Sequence, residues 1–247
     1  MALFTDGAVS RIEDLIAYES SVLELAATEQ IDLTVKLNLA QDELGIELEA
    51  MLAGREGAAG LANVAVTGPL RKWHVFHTLA LIHRDAYHRQ LNDRYLGKWN
   101  EYKRLAAWAR EALLQTGLGV VFNPIPRAEK PELSYAPAAA AGAATYYVRM
   151  AWRNAKGEEG SPSDIATVSV PSGNIPVVKP VRPPACATGW NVYVGFSAQE
   201  QTLQNAGPLK VNEIWTAPAT GIVQGALPGD GQKPETILRP GRALLRG

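Results

Sequence analysis

The chain has 247 residues, 47% apolar and 20% charged, and its 24 Lys+Arg against 25 Asp+Glu leave a formal charge of −1. This apolar fraction excludes a wholly disordered chain, and the missing basic excess argues against a general nucleic-acid binder. The single cysteine, Cys186, leaves nothing from which to build an intramolecular disulfide or a Cys-rich zinc site.

In chain order, Ile12, Leu15, Ile16, Leu23 and Ala26–Ala27 predict one helix from about 8 to 27. Thr28 is placed to cap a second, which carries Ile31, Val35, Leu37, Leu39, Leu44, Leu48 and Leu52 and stops at Gly54. A Gly/Ala-rich loop over 54–67 follows, and Gly68-Pro69 opens a third helix with Trp73, Phe76, Leu79, Ala80, Ile82 and Tyr87. The pattern resumes through Tyr95, Trp99, Tyr102, Ala106, Ala109 and Leu113 as far as Gly117, with a break expected near Asn92-Asp93. Four amphipathic helices bury their stripes against one another, so residues 1–122 are expected to form an α-helical bundle. No apolar run reaches the ~18–20 residues of a membrane span, and acids occupy the first thirty residues where a secretion leader is basic and then apolar. The expectation is a protein made in the cytoplasm, with no membrane partner.

Composition changes near residue 133: 12 of the 16 prolines lie in the last 114 residues. Asn123-Pro-Ile-Pro-Arg-Ala-Glu-Lys-Pro131 reads as a stiff extended connector, because each proline fixes its own φ and restricts its predecessor, and the linker is placed at 123–133. Beyond it, Thr145-Tyr-Tyr-Val-Arg-Met-Ala-Trp152 alternates as a strand, Asn154-Ala-Lys-Gly157 is a turn, and Ile165–Val170 is the hairpin partner. Asn174–Val181, Gly189–Gly195, Ile214–Thr216 and Ile222–Leu227 complete the set. Strands at this spacing over 134–227 match an immunoglobulin- or fibronectin-type β-sandwich. Residues 228–247 show no periodicity and read as an extended arm, or as disordered. The fold class expected is therefore multi-domain α+β: helical bundle, linker, sandwich, arm.

Charge is unevenly spread. Residues 1–53 hold two basic residues against eleven acids, net −9, and residues 54–133 hold twelve against seven, net +5. Two readings stand: an acidic helical hairpin packed on a basic one within the chain, or an acidic face of one copy meeting a basic face of the next. The residues singled out for contact between copies are Glu13, Glu24 and Glu47 against Arg89, Arg94 and Lys98. The arm cations Lys233, Arg239, Arg242 and Arg246 are singled out for a partner protein.

Catalytic signatures are missing. His74, His77, His83 and His88 lack the Glu and the spacing of a hydrolytic zinc site, so they are expected at the solvent or at an interface, with no metal and no cofactor. Cys186 has no His/Asn partner in its half and is expected as a small buried apolar residue. No phosphate-cradling loop, dinucleotide fingerprint or Gly-x-Ser-x-Gly elbow occurs, and Leu118-Gly-Val-Val-Phe122 has nothing beside it that binds phosphate. Tyr95, Trp99 and Tyr102, flanked by Arg94, Lys98, Lys103 and Arg104, are either core or a stacking platform for single-stranded bases.

Thr145–Trp152 followed by Gly157-Glu-Glu-Gly-Ser-Pro-Ser163, then Gly189-Trp-Asn-Val-Tyr-Val-Gly195, Gln204-Asn205, Trp215-Thr-Ala-Pro218 and Gly221-Ile-Val-Gln-Gly225, resembles the sandwich domains of tailed-bacteriophage structural proteins. Asp32–Ala40, Leu70-Arg-Lys-Trp73 and Leu91-Asn-Asp-Arg-Tyr95 with Lys98-Trp99 resemble the helical region of phage head–tail connector, or adaptor, proteins. The resemblance spans about four-fifths of the chain, with the Tyr-x-Val-Arg strand placed before the Trp-Asn-Val-Tyr strand, unlike an ordinary fibronectin module. It implies a non-enzymatic virion protein at the head–tail junction, made in the host bacterial cytoplasm. It further implies a homo-oligomeric ring of commonly twelve copies docked on the portal protein and joined to tail or neck proteins. Double-stranded DNA would pass through the channel without sequence-specific binding. The arm would reach the portal or a neighbouring subunit, and helical content near half is expected. The alternative is a tail-associated receptor- or carbohydrate-binding protein that uses the sandwich for recognition; an enzyme with an ancillary module comes last.

Overall fold

The computed structural model describes residues 2–53, 60–90, 93–138 and 141–239. The chain separates into two compact units: residues 7–122 with the segment from Pro234 onward, and residues 1–6 with 123–233. Helices make up 36% of the described residues and strands 22%, a mixed α+β composition. The helical share is below the expected half, and the stretch read as one helix over 8–27 is two short helices.

These are α1 (Ile12–Ile16) and α2 (Val22–Glu29), and Gln30 ends α2 in the left-handed region at φ 52°. Thr28 lies inside α2 and caps nothing. The cap of α3 (Leu33–Leu52) is Asp32, whose carboxylate accepts from the Thr34 and Val35 N–H groups at 2.8 and 3.1 Å. A carboxylate there satisfies two of the orphan donors of the first turn. Gly54, expected as the stop, lies outside the described residues. After a 3-10 turn (Leu61–Asn63), α4 (Gly68–Gln90) and α5 (Asp93–Thr116) follow; the break expected near Asn92-Asp93 falls at residues 91–92, which lie outside the described residues. Helix α4 is the centre of the unit: Trp73, His74, Val75, Phe76, Leu79 and Ile82 are all buried, and they do not share one face. It packs along α5 and against α3. Gly117, at φ +93°, ends α5, and a Cβ on it would stand 2.4 Å from Ile237 Cγ2, so a side chain is excluded there on two counts. Leu118–Val120 is then strand β1.

The second unit is built from β2 (Glu132–Pro137), β3 (Ala144–Arg153), β4 (Ala166–Val170), β5 (Asn174–Lys179), β6 (Gly189–Gly195), β7 (Thr202–Leu203), β8 (Leu209–Lys210) and β9 (Trp215–Thr216). One antiparallel sheet runs β2-β5-β9, and the other runs β4-β3-β6-β7 with β8 also on β6. In the second sheet Val148 stands opposite Val194 and Trp152 opposite Trp190. Alternate residues of β3 and β6 thereby enter one buried cluster, Val148, Met150, Trp152, Trp190, Val192 and Val194, which Val178 and Trp215 of the other sheet complete.

Three stretches differ from the sequence reading. Residues 123–133, expected as a linker, give Ile125 and Ala128 to this core, and the Ile125 N–H donates to the Gln232 Oε1 at 2.6 Å. The prolines stiffen a segment that packs on its own unit. Ile222–Leu227 forms no strand; it runs beside β7, where the Leu203 N–H donates to the Ala226 carbonyl at 2.9 Å. Gly225 permits that approach, because a Cβ there would lie 2.3 Å from the Leu203 carbonyl oxygen. Last, the described part of the arm is engaged with its own chain. Gln232 is 2% exposed, and β10 (Thr236–Leu238) pairs antiparallel with β1 in the register Leu118↔Leu238. Val64 bridges Val120 as well.

Candidate functional site

The two charged stretches of the helical unit meet within one chain. Lys36 of α3 pairs with Asp85 of α4, His77 Nε2 lies 2.5 Å from Glu43, and Arg110 Nε lies 2.5 Å from Glu47. Lys98 of α5 reaches Glu19 at 3.1 Å and Glu101 at 3.7 Å. The Tyr95 and Gln90 side chains donate to Glu29 at 2.7 and 3.1 Å. Acids of the first fifty residues thus pair with cations of α5, and Lys36 of α3 with an acid of α4. The intramolecular reading of the charge asymmetry accounts for these pairs without a second copy.

Glu19 is the hub. Burial acts to raise its pKa, but hydrogen bonds from Ser21, Tyr102 and Lys98 outweigh that and hold the carboxyl at about 2. The same bond raises the Lys98 pKa, and burial together with Glu19 raises that of the Tyr102 hydroxyl.

The histidines depart from expectation, for His74 and His83 belong to the core. His74 Nε2 faces the Leu37 carbonyl at 3.0 Å and must donate to it, so Nδ1 accepts from Ser10 Oγ at 2.7 Å. Burial pushes its pKa down to about 4, against the opposing Leu37 bond. His83 stacks on Tyr102 at 5.3 Å, with Nε2 3.9 Å from Glu19 and neither ring nitrogen hydrogen-bonded; burial lowers its pKa too. His88 is exposed and sits 5.7 Å from the Trp99 ring. Among the described residues no group of three His, Cys, Asp or Glu side chains is placed to hold a metal ion. Tyr95 and Tyr102 are buried and Trp99 is half-buried against Tyr87, so the aromatic stripe is mostly core.

A cleft of about 370 Å³ opens among α3, α4 and α5, lined by Glu43, Glu47, His77, Arg84, Trp99 and Lys103. Its two carboxylates, Glu43 and Glu47, face His77 Nε2 and Arg110 Nε, each at 2.5 Å. In the β unit a cleft of about 480 Å³ is bordered by Asp6, Arg127, Lys130 and Asp164. Asp6 accepts from the Leu3 and Arg127 N–H groups at 2.9 and 2.8 Å, and Arg127 Nη2 donates to Asp164 at 2.6 Å. The unit's other polar net is structural: Tyr193 and Asn191 donate to Glu159 at 2.6 and 2.5 Å, and Asn205 ties Asn191 to the Val192 N–H. Cys186 is half-buried, its thiol 3.5 Å from the Pro124 carbonyl and its pKa raised by burial.

Of the residues singled out from sequence, Glu13, Glu24 and Arg89 are exposed. Glu47 is bound to Arg110 and Lys98 to Glu19, and Arg94 lies 4.4 Å over the Tyr95 ring. Lys233 and Arg239 are exposed; Arg242 and Arg246 lie outside the described residues. Sequence reading passed over the outer side of α3, where Val35 and Ile46 are 55% and 70% exposed. The signal was present: apolar residues on α3 are too many for one stripe. No helix among the described residues is long and apolar enough to cross a membrane. No protein-family model matches the chain, and no curated protein matches it.

Proposed function

We propose that this chain is a structural adaptor of a tailed bacteriophage, assembling as a ring on the portal and joining it to the tail around a channel for DNA. One observation supports the reading above the rest. Two segments of the series that resembles phage sandwich domains, Thr145–Trp152 and Gly189–Gly195, form the central, paired strands of the β unit, β3 and β6, in a chain whose other unit is helical. We read the β unit as immunoglobulin-like on the same ground, since its two antiparallel sheets share one tryptophan-rich cluster. In this reading the helical unit packs around the channel, Glu13, Glu24 and Arg89 contact neighbouring copies, and Lys233, Arg239, Arg242 and Arg246 engage the portal. Its work is geometric, and it needs neither cofactor nor catalytic group.

The test is co-assembly of the purified chain with portal, read by negative-stain electron microscopy across a salt series. A ring of fixed copy number on the portal's tail-facing end is expected, and no association at any ionic strength overturns the reading. A second reading, recognition of a cell-surface glycan by the β unit, is favoured by the exposure of Tyr135 and Phe196, 53% and 59%. Aromatic faces of that kind stack on sugar rings. Binding to a glycan array that Phe196→Ala and Tyr135→Ala abolish, without portal association, selects it.

A further inference from the structure

We propose that the cleft among α3, α4 and α5 is a binding site for a small aromatic anion, a flat ring that carries a carboxylate or a phosphate. The helical period draws the cleft. Its lining on α4 falls at offsets of 4, 7, 8 and 11 residues from Trp73, and its lining on α5 at the same offsets from Trp99. Those offsets mark one face of each helix. Only two residues separate α4 from α5 in the chain, and the helices pack along each other, so they run antiparallel. Arg84 lies six residues before the end of α4 and Trp99 six after the start of α5, while Ala80 and Lys103 each lie ten away. Arg84 therefore stands level with Trp99 and, about one turn (~6 Å) along, Ala80 stands level with Lys103. The middle of the cleft is hollow because its side chains are small. Ala80 and Ala106 are buried and Ala107 is exposed at the rim, where longer side chains would close it. At about 370 Å³ the hollow is at the lower end of the ~300–1,000 Å³ of small-ligand sites, which suits a molecule of one or two rings and not a run of peptide.

Charge decides what enters. Glu43 and Glu47 are set against His77 and Arg110, and these contacts tie the α3 wall to α4 and α5. Arg84 and Lys103 line the same cleft with no ion pair or hydrogen bond among the described residues. Two cations without acids, on facing helices, leave the cleft short of negative charge. Arg84 is half-buried, and a partly desolvated cation gains more from an anion than one in open water. An anionic group held between Arg84 and Lys103 would accept charge-assisted hydrogen bonds from both. Trp99 supplies the other half of the site. Its half-buried ring is steadied by Tyr87 and His88, whose centroids lie 6.0 and 5.7 Å away, so little order remains to be gained on binding. A flat ring can pack on it while the anion stays near Lys103, one turn along the same face of α5. A neutral ring lacks the second contact and a bare anion lacks the first. The site lies within one unit and needs no second copy, so it stands or falls apart from the adaptor reading.

Ligand-observed NMR titrations of the full-length chain test it, with indole-3-acetate and phenyl phosphate as probes beside indole and acetate. Saturable binding of at least one aromatic anion is expected, with a Kd of about 1 mM or tighter. Indole and acetate are each expected to bind at least about tenfold more weakly. The tighter of the two aromatic anions tells a carboxylate ligand from a phosphate one. Arg84→Gln and Lys103→Gln, which keep most of each stem, are each expected to weaken binding about three- to tenfold. Ala107→Phe fills the cleft from its exposed rim and should abolish binding, whereas Arg104→Ala, at an exposed cation of α5 outside the cleft, should leave it unchanged. Circular dichroism checks the fold of each variant. Three results overturn the proposal: no saturable binding of either aromatic anion, indole bound as tightly as indole-3-acetate, or an affinity unmoved in folded Arg84→Gln/Lys103→Gln.

Discussion

The two units bury polarity in different currencies of chemistry. In the helical unit the buried polar residues include His74, His83 and Glu29; in the β unit they are Asn154, Ser161, Ser163, Asn191, Gln201, Asn205 and Gln232, none of which titrates. The helical unit is thus joined across its layers by buried ionisable groups, with His74 and His83 disfavoured as cations by burial, and the β unit chiefly by amides and hydroxyls around a tryptophan core, with Glu159 as acceptor. Acid from pH 6.5 down to 4 should loosen the first more than the second, because the buried histidines lie in the first, while truncating a core side chain of the β unit should do the reverse.

The largest effect is expected in the β unit. Trp190 is fully buried and its indole N–H donates to the Lys210 carbonyl at 3.1 Å. Trp190→Ala is expected to cost about 3–5 kcal/mol. Circular dichroism at 222 nm should survive the lower-temperature transition, since the helices lie in the other unit; loss of that signal in the same step breaks the comparison. The second effect is on pH. His74 is neutral in the fold, with a pKa of about 4 against 6.5. Its contribution is present above 6.5 and is lost as pH falls toward 4, because the unfolded chain binds the proton first. Glu19, at about 2 against 4.5, continues the loss from 4.5 downward. The His74 share is on the order of 3 kcal/mol. His74→Gln should flatten the pH dependence of helical melting between 6.5 and 4. An unchanged slope would place acid sensitivity elsewhere.

A smaller effect tests the seam between arm and core. A stop after Gly231 removes Gln232, which holds the Ile125 N–H and the Asn123 carbonyl, together with β10. Losing these buried bonds is expected to cost about 2–3 kcal/mol, read as a lower melting temperature, whereas a stop after Arg239 should shift melting by less than about 1 kcal/mol. Equal melting of both truncations would show that β10 adds nothing to the fold.

The chemistry legible in the sequence was local chemistry. Proline at Pro69, glycine at Gly117 and alternation in Thr145–Trp152 each act on neighbours in the chain, so α4, the end of α5 and β3 follow from them. Strands β7, β8 and β10 are two or three residues long and owe their existence to partners far along the chain, which no local pattern announces. The fate of Ile125 was hidden for the same reason: a residue between two prolines reads as linker until Gln232 and the sheet core are beside it. In the helical unit, the −9 and +5 stretches forecast that opposite charges would meet. Which ones meet depends on the rotation of each helix, and that set Glu47 against Arg110 and left Asp42 and Glu49 outside.

The Glu47–Arg110 pair separates charge that holds the fold from charge that decorates it. Both side chains are more than two-fifths exposed at 2.5 Å separation, whereas Glu19 is 11% exposed and bound to three donors. Solvent screens the first pair, so Glu47→Gln is expected to cost less than about 1 kcal/mol and to lose even that at high salt. Glu19→Gln removes the charge and turns one acceptor oxygen into an NH2 donor, so the bonds from Ser21 at Oε1 and from Tyr102 and Lys98 at Oε2 are not all kept, and it should cost severalfold more at neutral pH. Thermal melts of the two variants at low and high ionic strength decide the matter. A Glu47→Gln loss as large as that of Glu19→Gln would mean that the outer cleft between α3 and α5 secures the unit as strongly as the buried hub that ties the α1–α2 connection to α5.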